Sequence, residues 1–453
     1  MLDLIRALAI WVVVLLIAQF AVRGQSSQVR SLTFLSVVAH FVATLGMSWL
    51  VLNQFGGDML RYERDGSELA SLMWRDSRMF SEVMNLFLQS EHMLPRRIVG
   101  AGTSTGSMVA MSAFVTALVG SGTVVVATAF SAISYLSRLL LFQVARRWFT
   151  WARPDYVFIA VMLVPSVMVW SSGIFKEAVA VSGIGLLVWG ADVLLARRRI
   201  AGGLLAAFIG FWFVFLFKSF LLVPFALALG LQLYASRAAA SGGRNWSFGA
   251  GQLISGSILG VIGVVALSSI FPQLSIQQLS DQASSLQEIG RTVRGGSTYS
   301  LTESLPSSPT GQLAYAPMAV FTSLYRPLIV EANNAVMVVN ALETTLLLLA
   351  SVLLIRGRWT DRLKLVASSP ALLFCLLFVL ATAMGVGLAT TNLGTLSRYR
   401  MPLVPFFALI LVVLHSRVSV RSPARSMSRG RESSSSASPT SFQPSGASRS
   451  LAP

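Results

Sequence analysis

The amino-acid sequence predicts an all-α protein, a polytopic transmembrane helical bundle of about 11 to 12 spans. Hydrophobic residues make up 54% of the 453 residues and charged residues only 12%, whereas about a quarter of a soluble domain is charged. The apolar residues fall in long unbroken runs, many of them near the length that crosses a bilayer. The loops that separate the runs are short and rich in arginine, as is typical of cytoplasmic loops in membrane proteins.

The apolar runs follow one another from the first residues to a basic tail. In the first run, Arg6 precedes apolar residues as far as Val22. Because no small-residue cleavage site follows, we interpret this run as a retained span rather than a signal peptide. The run 108–119 is short, and a re-entrant element is the alternative interpretation. The runs are 7–22, 32–51, 108–119, 124–144, 157–170, 178–195, 204–217, 221–234, 253–270, 335–355, 367–388 and 403–414.

The basic loops predict which side of the membrane each segment faces. The positive-inside rule places them in the cytoplasm. Alternation then places two long polar loops, residues 52–101 and 272–334, outside the cell, together with the turns 171–177 and 390–400. If the run 108–119 crossed the membrane, Asp58 would instead lie on the cytoplasmic side. The residues that define the basic loops are Arg146, Arg147, Arg153, Arg197, Arg198, Arg199, Arg237, Arg244, Arg356, Arg358, Arg362 and Lys364.

The chain divides into a transmembrane domain, residues 1–416, and a cytoplasmic tail, residues 417–453. The tail is basic and then rich in serine and proline, so we expect it to be disordered. The net charge of +17 would suggest nucleic acid for a soluble protein. Here the positive-inside rule explains it, and no nucleic-acid partner is expected. The preference for arginine over lysine suggests a GC-rich bacterial genome, and hence the bacterial cytoplasmic membrane.

Ionisable side chains at the edges of spans are candidate functional groups, because they are costly to hold in lipid. Asp58 follows Gly56 and Gly57 just after the second run, where its carboxylate could act as a general base or metal ligand. A solvated loop acid would look the same. Lys176 and Glu177 open a helical run, which suits either anion binding or simple capping of the helix.

Several cations share the predicted outer face with these residues. Lys218 stands alone between two apolar runs, so it either snorkels to the interface or contacts a phosphate. The remaining candidates are solvated loop charges in the simplest interpretation. Outward-facing arginines nevertheless depart from the positive-inside trend, and paired arginines suit a phosphate or pyrophosphate. These candidates are Arg291, Arg294, Arg326, Glu331, Arg398 and Arg400.

The sequence identifies no cofactor. It contains no Walker motif, which disfavours a nucleotide-driven pump. His40, His92 and His415 are scattered without metal-ligand spacing, and a metal dependence stays open. The single cysteine, Cys375, lies inside an apolar run and is expected to be a buried core residue.

The pattern Gly57-Asp58 followed by Tyr62 resembles the first external loop of GT-C-type membrane glycosyltransferases. The stretches 170–177, 324–333 with Leu342-Glu343, and 398–402 are similar to those of bacterial multi-span proteins of polysaccharide assembly. The resemblance implies a GT-C-like fold and sugar transfer from a polyprenyl-phosphate donor to a glycan or lipid acceptor. It also implies that Asp58 is the base, with Tyr62 beside it. GT-C enzymes usually have one span before the acidic loop, whereas two are predicted here.

Two other functions fit the same residues. An O-antigen-type polymerase also favours a large external loop with arginines, such as Arg291 and Arg294. A lipid-linked oligosaccharide transporter would expose ionisable groups on discontinuous helices, for which Lys218 and Asp192 are the candidates. The expected partners are a lipid-linked sugar donor, a glycan or lipid acceptor and membrane lipids.

Overall fold

A computed structural model describes residues 1–95, 97–242, 249–292, 297–302, 304–332, 335–356 and 359–420. These residues form an all-α bundle, as the sequence predicts. They contain no β-strand, only an isolated bridge between Thr298 and Asn392. The predicted tail falls almost entirely outside the described residues.

Among the described residues, ten helices form the N-terminal half of the bundle. A π-helical turn, Val51–Phe55, extends the second of them. The helices are α1 (Leu2–Ala21), α2 (Ser27–Leu50), α3 (Asp58–Arg75), α4 (Arg78–Phe87), α5 (Ser104–Val119), α6 (Thr123–Trp148), α7 (Pro154–Met162), α8 (Pro165–Trp170), α9 (Lys176–Leu195) and α10 (Ile200–Lys218).

Ten more helices follow in the part of the chain that the structure describes. Short 3-10 turns occur at Ser219–Leu221, Pro272–Leu274 and Ile329–Glu331. The helices are α11 (Leu222–Gly242), α12 (Ala250–Ile270), α13 (Ile276–Thr292), α14 (Pro309–Leu313), α15 (Ala316–Tyr325), α16 (Ala335–Arg356), α17 (Trp359–Ala367), α18 (Pro370–Ala389), α19 (Leu393–Tyr399) and α20 (Val404–Val420).

Fewer helices than predicted are long and apolar enough to cross a membrane. The described residues contain seven, or up to eight if α19 and α20, which bend by 70°, form one span. The run 157–170 is broken, because Pro165 starts α8 after α7 has ended. In the helix corresponding to the run 253–270, the apolar part Ile254–Ile270 is shorter than the length counted as a membrane span. The difference from the predicted 11 to 12 spans therefore lies in broken and short helices and in residues 200–241, which enter this count as a single stretch.

The 42-residue helical stretch Ile200–Ser241 contains two antiparallel legs, α10 and α11. Ser236 and Ala239, near the end of α11, line the same cavity as Leu195 and Ala196, which precede α10. The end of α11 therefore lies near the start of α10. The chain reverses at the 3-10 turn Ser219–Leu221, so the two predicted runs are separate legs.

The bundle has two ends, which we name by their residues. The basic face holds the ends of α6 and α9, where Arg147 Nε donates a hydrogen bond to Asp192 at 2.8 Å. The site face is the opposite end, where α9 begins at Lys176. The two long polar loops meet there, since Thr103 and Asp281 line one cavity. They share a face, as the alternation of spans predicts.

Helix α5 keeps both of its ends on the site face. At its start, Ser104 accepts a hydrogen bond from Lys176. Just after its end, the Gly122 amide donates to Glu63 of α3, and a Cβ at Gly120 would lie 2.5 Å from the Arg6 guanidinium. The run 108–119 is therefore a re-entrant element, and Asp58 lies on the site face.

Glycine contacts hold α9 and α10 together as a tight hairpin. A Cβ on Gly210 would lie 2.7 Å from the Gly183 carbonyl oxygen, and one on Gly190 would lie 2.8 Å from the Gly203 carbonyl oxygen. Small residues allow such close approach between helices in lipid. This hairpin brings Glu177 and Lys218 to the same level on the site face.

Large apolar side chains cover the outside of the bundle. Phe20, Phe208, Ile254 and Leu346 are all more than 60% exposed. Exposed apolar surface on several long helices is unfavourable in water but suits contact with lipid chains. These helices support a multi-pass membrane protein.

Candidate functional site

Glu177 lies at the centre of a charged cluster on the site face. Its side chain is 1% exposed and belongs to the first turn of α9, where the helix dipole favours a carboxylate. The Lys218 ammonium lies 3.2 Å from Oε1, and Arg398 Nη2 donates to Oε2 at 3.1 Å. One buried carboxylate thus joins α9 to the end of α10 and to α19.

Aromatic rings fix the two cations that contact Glu177. Lys218 Nζ lies 3.5 Å from the centre of the Tyr399 ring. The Arg398 guanidinium carbon lies 5.3 Å from the Trp170 ring and 5.7 Å from the Phe175 ring. Such cation–π contacts orient a cation without neutralising it.

Lys176 is a third cation of the cluster. Unlike Lys218 and Arg398, it forms no ion pair with a carboxylate of the described residues. Its ammonium donates to Ser104 Oγ at 3.0 Å and to Thr105 Oγ1 at 2.9 Å. It interacts electrostatically with Asp58, Glu177, Lys218 and Arg398. Its charge is the one most available to an anionic ligand.

Asp58 begins α3 beside the cluster. Gly56 and Gly57 have φ values of 57° and 91°, a region that favours glycine, and this sharp turn starts the helix at Asp58. The carboxylate is about half exposed and lies 3.9 Å from Arg61 Nη2. It also interacts electrostatically with Arg398, so the candidate base and the candidate anion contacts share one site.

Tyr62 is buried one turn after Asp58 on α3. Burial raises the pKa of its phenol to about 12, the Asp58 carboxylate acts in the same direction, and a hydrogen bond with Thr105 opposes them. Tyr62 is therefore protonated at neutral pH and can donate a hydrogen bond near the cluster.

Arg326 and Glu331 form a second pair at the site face. Arg326 Nε donates to Glu331 Oε1 at 2.8 Å, and its guanidinium lies 4.6 Å from the Tyr299 ring. Burial alone would raise the pKa of Glu331, but hydrogen bonds from Arg326 and from the Leu328 amide hold it below its ordinary value. The pair is internally satisfied.

Arg400 lies apart from Arg398. It is 1% exposed, and its Nη1 donates to the Arg326 carbonyl oxygen at 2.6 Å. Its Nη2 lies 4.0 Å from Glu343. The two arginines do not form the side-by-side pair that their spacing suggested. Arg294 lies outside the described residues, and of Arg291 only the backbone, near the end of α13, is described.

An apolar cavity of about 430 Å³ adjoins the cluster. Its walls come from α11, α13, α14 and α18, through residues such as Leu227, Ala283 and Gly385. It reaches Phe220 and Tyr399, and the Tyr399 ring carries the Lys218 ammonium on its face. A cationic cluster and an apolar cavity side by side would fit an amphipathic anion. Sequence reasoning missed this cavity, because its walls are ordinary apolar residues.

Polar groups also lie inside the bundle, and sequence reasoning gave none of them a role. Arg138 is fully buried, and its Nη2 contacts His40 and donates to Ser171. Glu343 accepts hydrogen bonds from the amide and hydroxyl of Ser166, at the start of α8. An arginine within an apolar run was the signal that could have identified the first group.

The described residues hold no group of three or more His, Cys, Asp or Glu side chains that could bind a metal ion. No protein-family model, curated protein or solved structure matches the chain. The function is therefore argued from the site alone.

Proposed function

We propose that the protein is a membrane glycosyltransferase that moves a sugar from a polyprenyl-phosphate donor to a cell-envelope glycan or lipid acceptor. One observation carries the proposal. A half-exposed carboxylate, Asp58, begins the helix whose Tyr62 shares Thr105 as a hydrogen-bond partner with Lys176, and an apolar cavity adjoins the same cluster of cations. With the basic loops in the cytoplasm, this site opens outside the bacterial cytoplasmic membrane.

The cations account for binding of the donor phosphate. Lys176 has hydroxyl partners only, and a third of the Arg398 side chain is exposed although its Nη2 binds Glu177. Both can therefore contact phosphate oxygens in surroundings that strengthen charge interactions. Lys218 and Glu177 hold Arg398 and the aromatic rings in place, and the cavity beside Tyr399 takes the first part of the lipid chain.

In the transfer step, the acceptor hydroxyl oxygen forms a bond to the anomeric carbon of the sugar. The bond from that carbon to the phosphate oxygen breaks, and its electron pair leaves with the lipid phosphate. Asp58 takes the hydroxyl proton as general base. The cations stabilise the charge that develops on the departing phosphate.

The test replaces Asp58 with asparagine. In proteoliposomes supplied with a radiolabelled polyprenyl-phosphate sugar, we expect Asp58→Asn to abolish transfer, because the general base is lost. Binding of the donor should persist. The matched control is Glu91→Gln, an exposed acid of the same loop, which should transfer at the unaltered rate. An Asp58→Asn protein that transfers sugar normally would rule out this base. A product longer by whole repeat units would instead favour a polymerase.

A transporter of lipid-linked oligosaccharides is the second candidate, favoured by one specific observation. The span that holds α7 and α8 is interrupted, and buried charges bind the second half of it: Glu343 at Ser166, and Arg138 at Ser171. Discontinuous helices with ionisable groups are typical of transporters. Movement of a fluorescent lipid-linked oligosaccharide across proteoliposomes without chemical change would favour this candidate.

A further inference from the structure

A second cavity, of about 700 Å³, lies on the basic face, at the end of the bundle opposite to the candidate site. It is open to one side and is lined by the ends of α6, α9 and α11 and by the start of α18. Trp148, Asp192, Gln232 and Ser368 are among its lining residues. The proposed transfer does not use it.

The aromatic wall of this cavity is fixed by Asp192. One oxygen of the carboxylate accepts from Trp148 Nε1 at 2.7 Å, and the other accepts from Arg147 Nε at 2.8 Å. The carboxylate is thereby neutralised by Arg147 and holds the indole in place. Asp192 is therefore a structural member of the wall, and its charge does not repel an anion.

Gln232 supplies an unused hydrogen-bonding group. The residue is 7% exposed, it lines the cavity, and its amide makes no hydrogen bond to another described residue. An amide on the cavity wall can both donate a hydrogen bond to a ligand there and accept one from it. Ser236 and Ser368 add two hydroxyl groups to the same wall. Together these groups suit a polyol.

Three exposed cations are sequence neighbours of residues that line the cavity. Arg197, Arg237 and Lys364 each adjoin a lining residue, namely Ala196, Ser236 and Leu365. Leu195, which also lines the cavity, is 48% exposed on the outside of the bundle. A ligand can therefore place a phosphate among the cations and its apolar chains against Leu195 in the bilayer.

We propose that this cavity binds an anionic phospholipid with a polyol headgroup, such as phosphoglycerol, from the membrane leaflet at the basic face. The phosphate contacts Arg197, Arg237 or Lys364. The polyol hydroxyls bond to Gln232 and the two serines. The acyl chains lie along α9. The proposal is independent of the sugar-transfer function.

The test uses the full-length protein in nanodiscs of phosphatidylcholine with added phosphatidylglycerol, and counts retained lipids by native mass spectrometry. We expect selective retention of phosphatidylglycerol. Gln232→Leu should weaken retention by about fivefold, the equivalent of one net hydrogen bond. Replacing Arg197, Arg237 and Lys364 together by glutamine should weaken it further. The control is Arg64→Gln on the site face, whose side chain is 73% exposed.

Equal retention of both lipids by the unaltered protein would overturn the proposal. Retention that depends on the cations but not on Gln232, Ser236 or Ser368 would overturn its polyol part. Melting in phosphatidylcholine alone shows whether Gln232→Leu folds. If it does not, Ser236→Ala and Ser368→Ala, both at exposed positions, test the polyol contacts in its place. Competition by glycerol 3-phosphate as strong as that by the lipid would contradict a membrane source for the ligand.

Discussion

At the scale of single residues, the site depends on the balance of charge around Glu177. This carboxylate has Lys218 on one oxygen and Arg398 on the other, and it is nearly inaccessible to water. Buried charges are stable only when paired, because the interior solvates them poorly. Removing this one carboxylate leaves two cations facing each other.

We therefore expect Glu177→Gln to lower the free energy of unfolding by about 3 kcal/mol. Denaturant titration of the protein in detergent micelles measures the loss. Glu91→Gln, at an exposed position, should change it by less than about 0.5 kcal/mol. Equal stability of the two variants would mean that the cluster does not hold its three helices together.

A second residue-scale prediction concerns the apolar cavity beside Tyr399. A Cβ at Gly385 would meet no atom within 4 Å, and Gly385 lines the cavity. Gly385→Trp should fill that space and weaken binding of a long-chain polyprenyl phosphate about tenfold, the loss of burial of only two methylene groups.

Binding of a short-chain, water-soluble analogue should be unchanged in Gly385→Trp, since the cations are untouched. Gly263→Trp on α12, where space is equally open, is the matched control. If both probes lost affinity together, the cavity would not be the chain site. Equilibrium binding of radiolabelled phosphates distinguishes the two results.

Sequence reasoning identified most of this site but not its pairing. Topology alone predicted that Asp58, Lys176, Lys218 and Arg398 lie on one face, and the structure brings them together. Arg398 and Arg400 were expected to act as a pair. Residues two apart on a helix point about 200° away from each other, so the end of α19 sends Arg398 to Glu177 and Arg400 toward Glu343.

At the scale of helices, the spacing between α9 and α10 determines whether Glu177 reaches Lys218. Gly210 faces the backbone of α9, where a Cβ would lie 2.7 Å from Gly183 O, whereas Gly202 on the same helix would meet its nearest atom at 3.8 Å. The two glycines differ in contact but not in helix or residue type, so they form a matched pair.

We expect Gly210→Ala to destabilise the protein by about 1–3 kcal/mol, because the added methyl group forces the helices apart. Gly202→Ala should be neutral or slightly stabilising, as alanine is the better helix former. Thermal melting in detergent compares the two. Equal melting temperatures would contradict the close glycine packing.

The positions of the helices were more predictable than their paths. Nearly every apolar run corresponds to a helix, because a continuous apolar segment must be buried either in lipid or in the protein core. Hydrophobicity does not report whether that stretch crosses the bilayer. The shortness of run 108–119 left a re-entrant element as an alternative but did not decide that α5 starts and ends on the site face, and Pro165 alone marked the break between α7 and α8.

At the scale of the whole molecule, the two faces of the bundle differ in charge and in accessibility to reagents. The basic face carries Arg197, Arg198 and Arg199 at exposed positions. The site face carries both long polar loops. This asymmetry predicts one orientation in the membrane.

Cysteine labelling tests that orientation. After replacement of the buried Cys375, single cysteines at the exposed positions Ala101, Ser121 and Arg198 react with a membrane-impermeant maleimide. We expect Ala101→Cys and Ser121→Cys, which flank α5, to be labelled from outside the cell. Arg198→Cys should be labelled only in inverted vesicles. Labelling of Ala101→Cys and Ser121→Cys from opposite sides would show that α5 crosses the membrane.

The contact between Glu177 and Arg398 joins residues 221 positions apart, which has a consequence for biosynthesis. During synthesis, α9 enters the bilayer long before the ribosome reaches α19. At that stage Glu177 can pair only with Lys218, because Arg398 has not yet been added to the chain. A premature stop codon shortly before residue 398 would yield a chain that retains most of its membrane helices and can reach the membrane. Such a product would accumulate in the cell as an inactive protein, because the last arginine of the cluster was never translated.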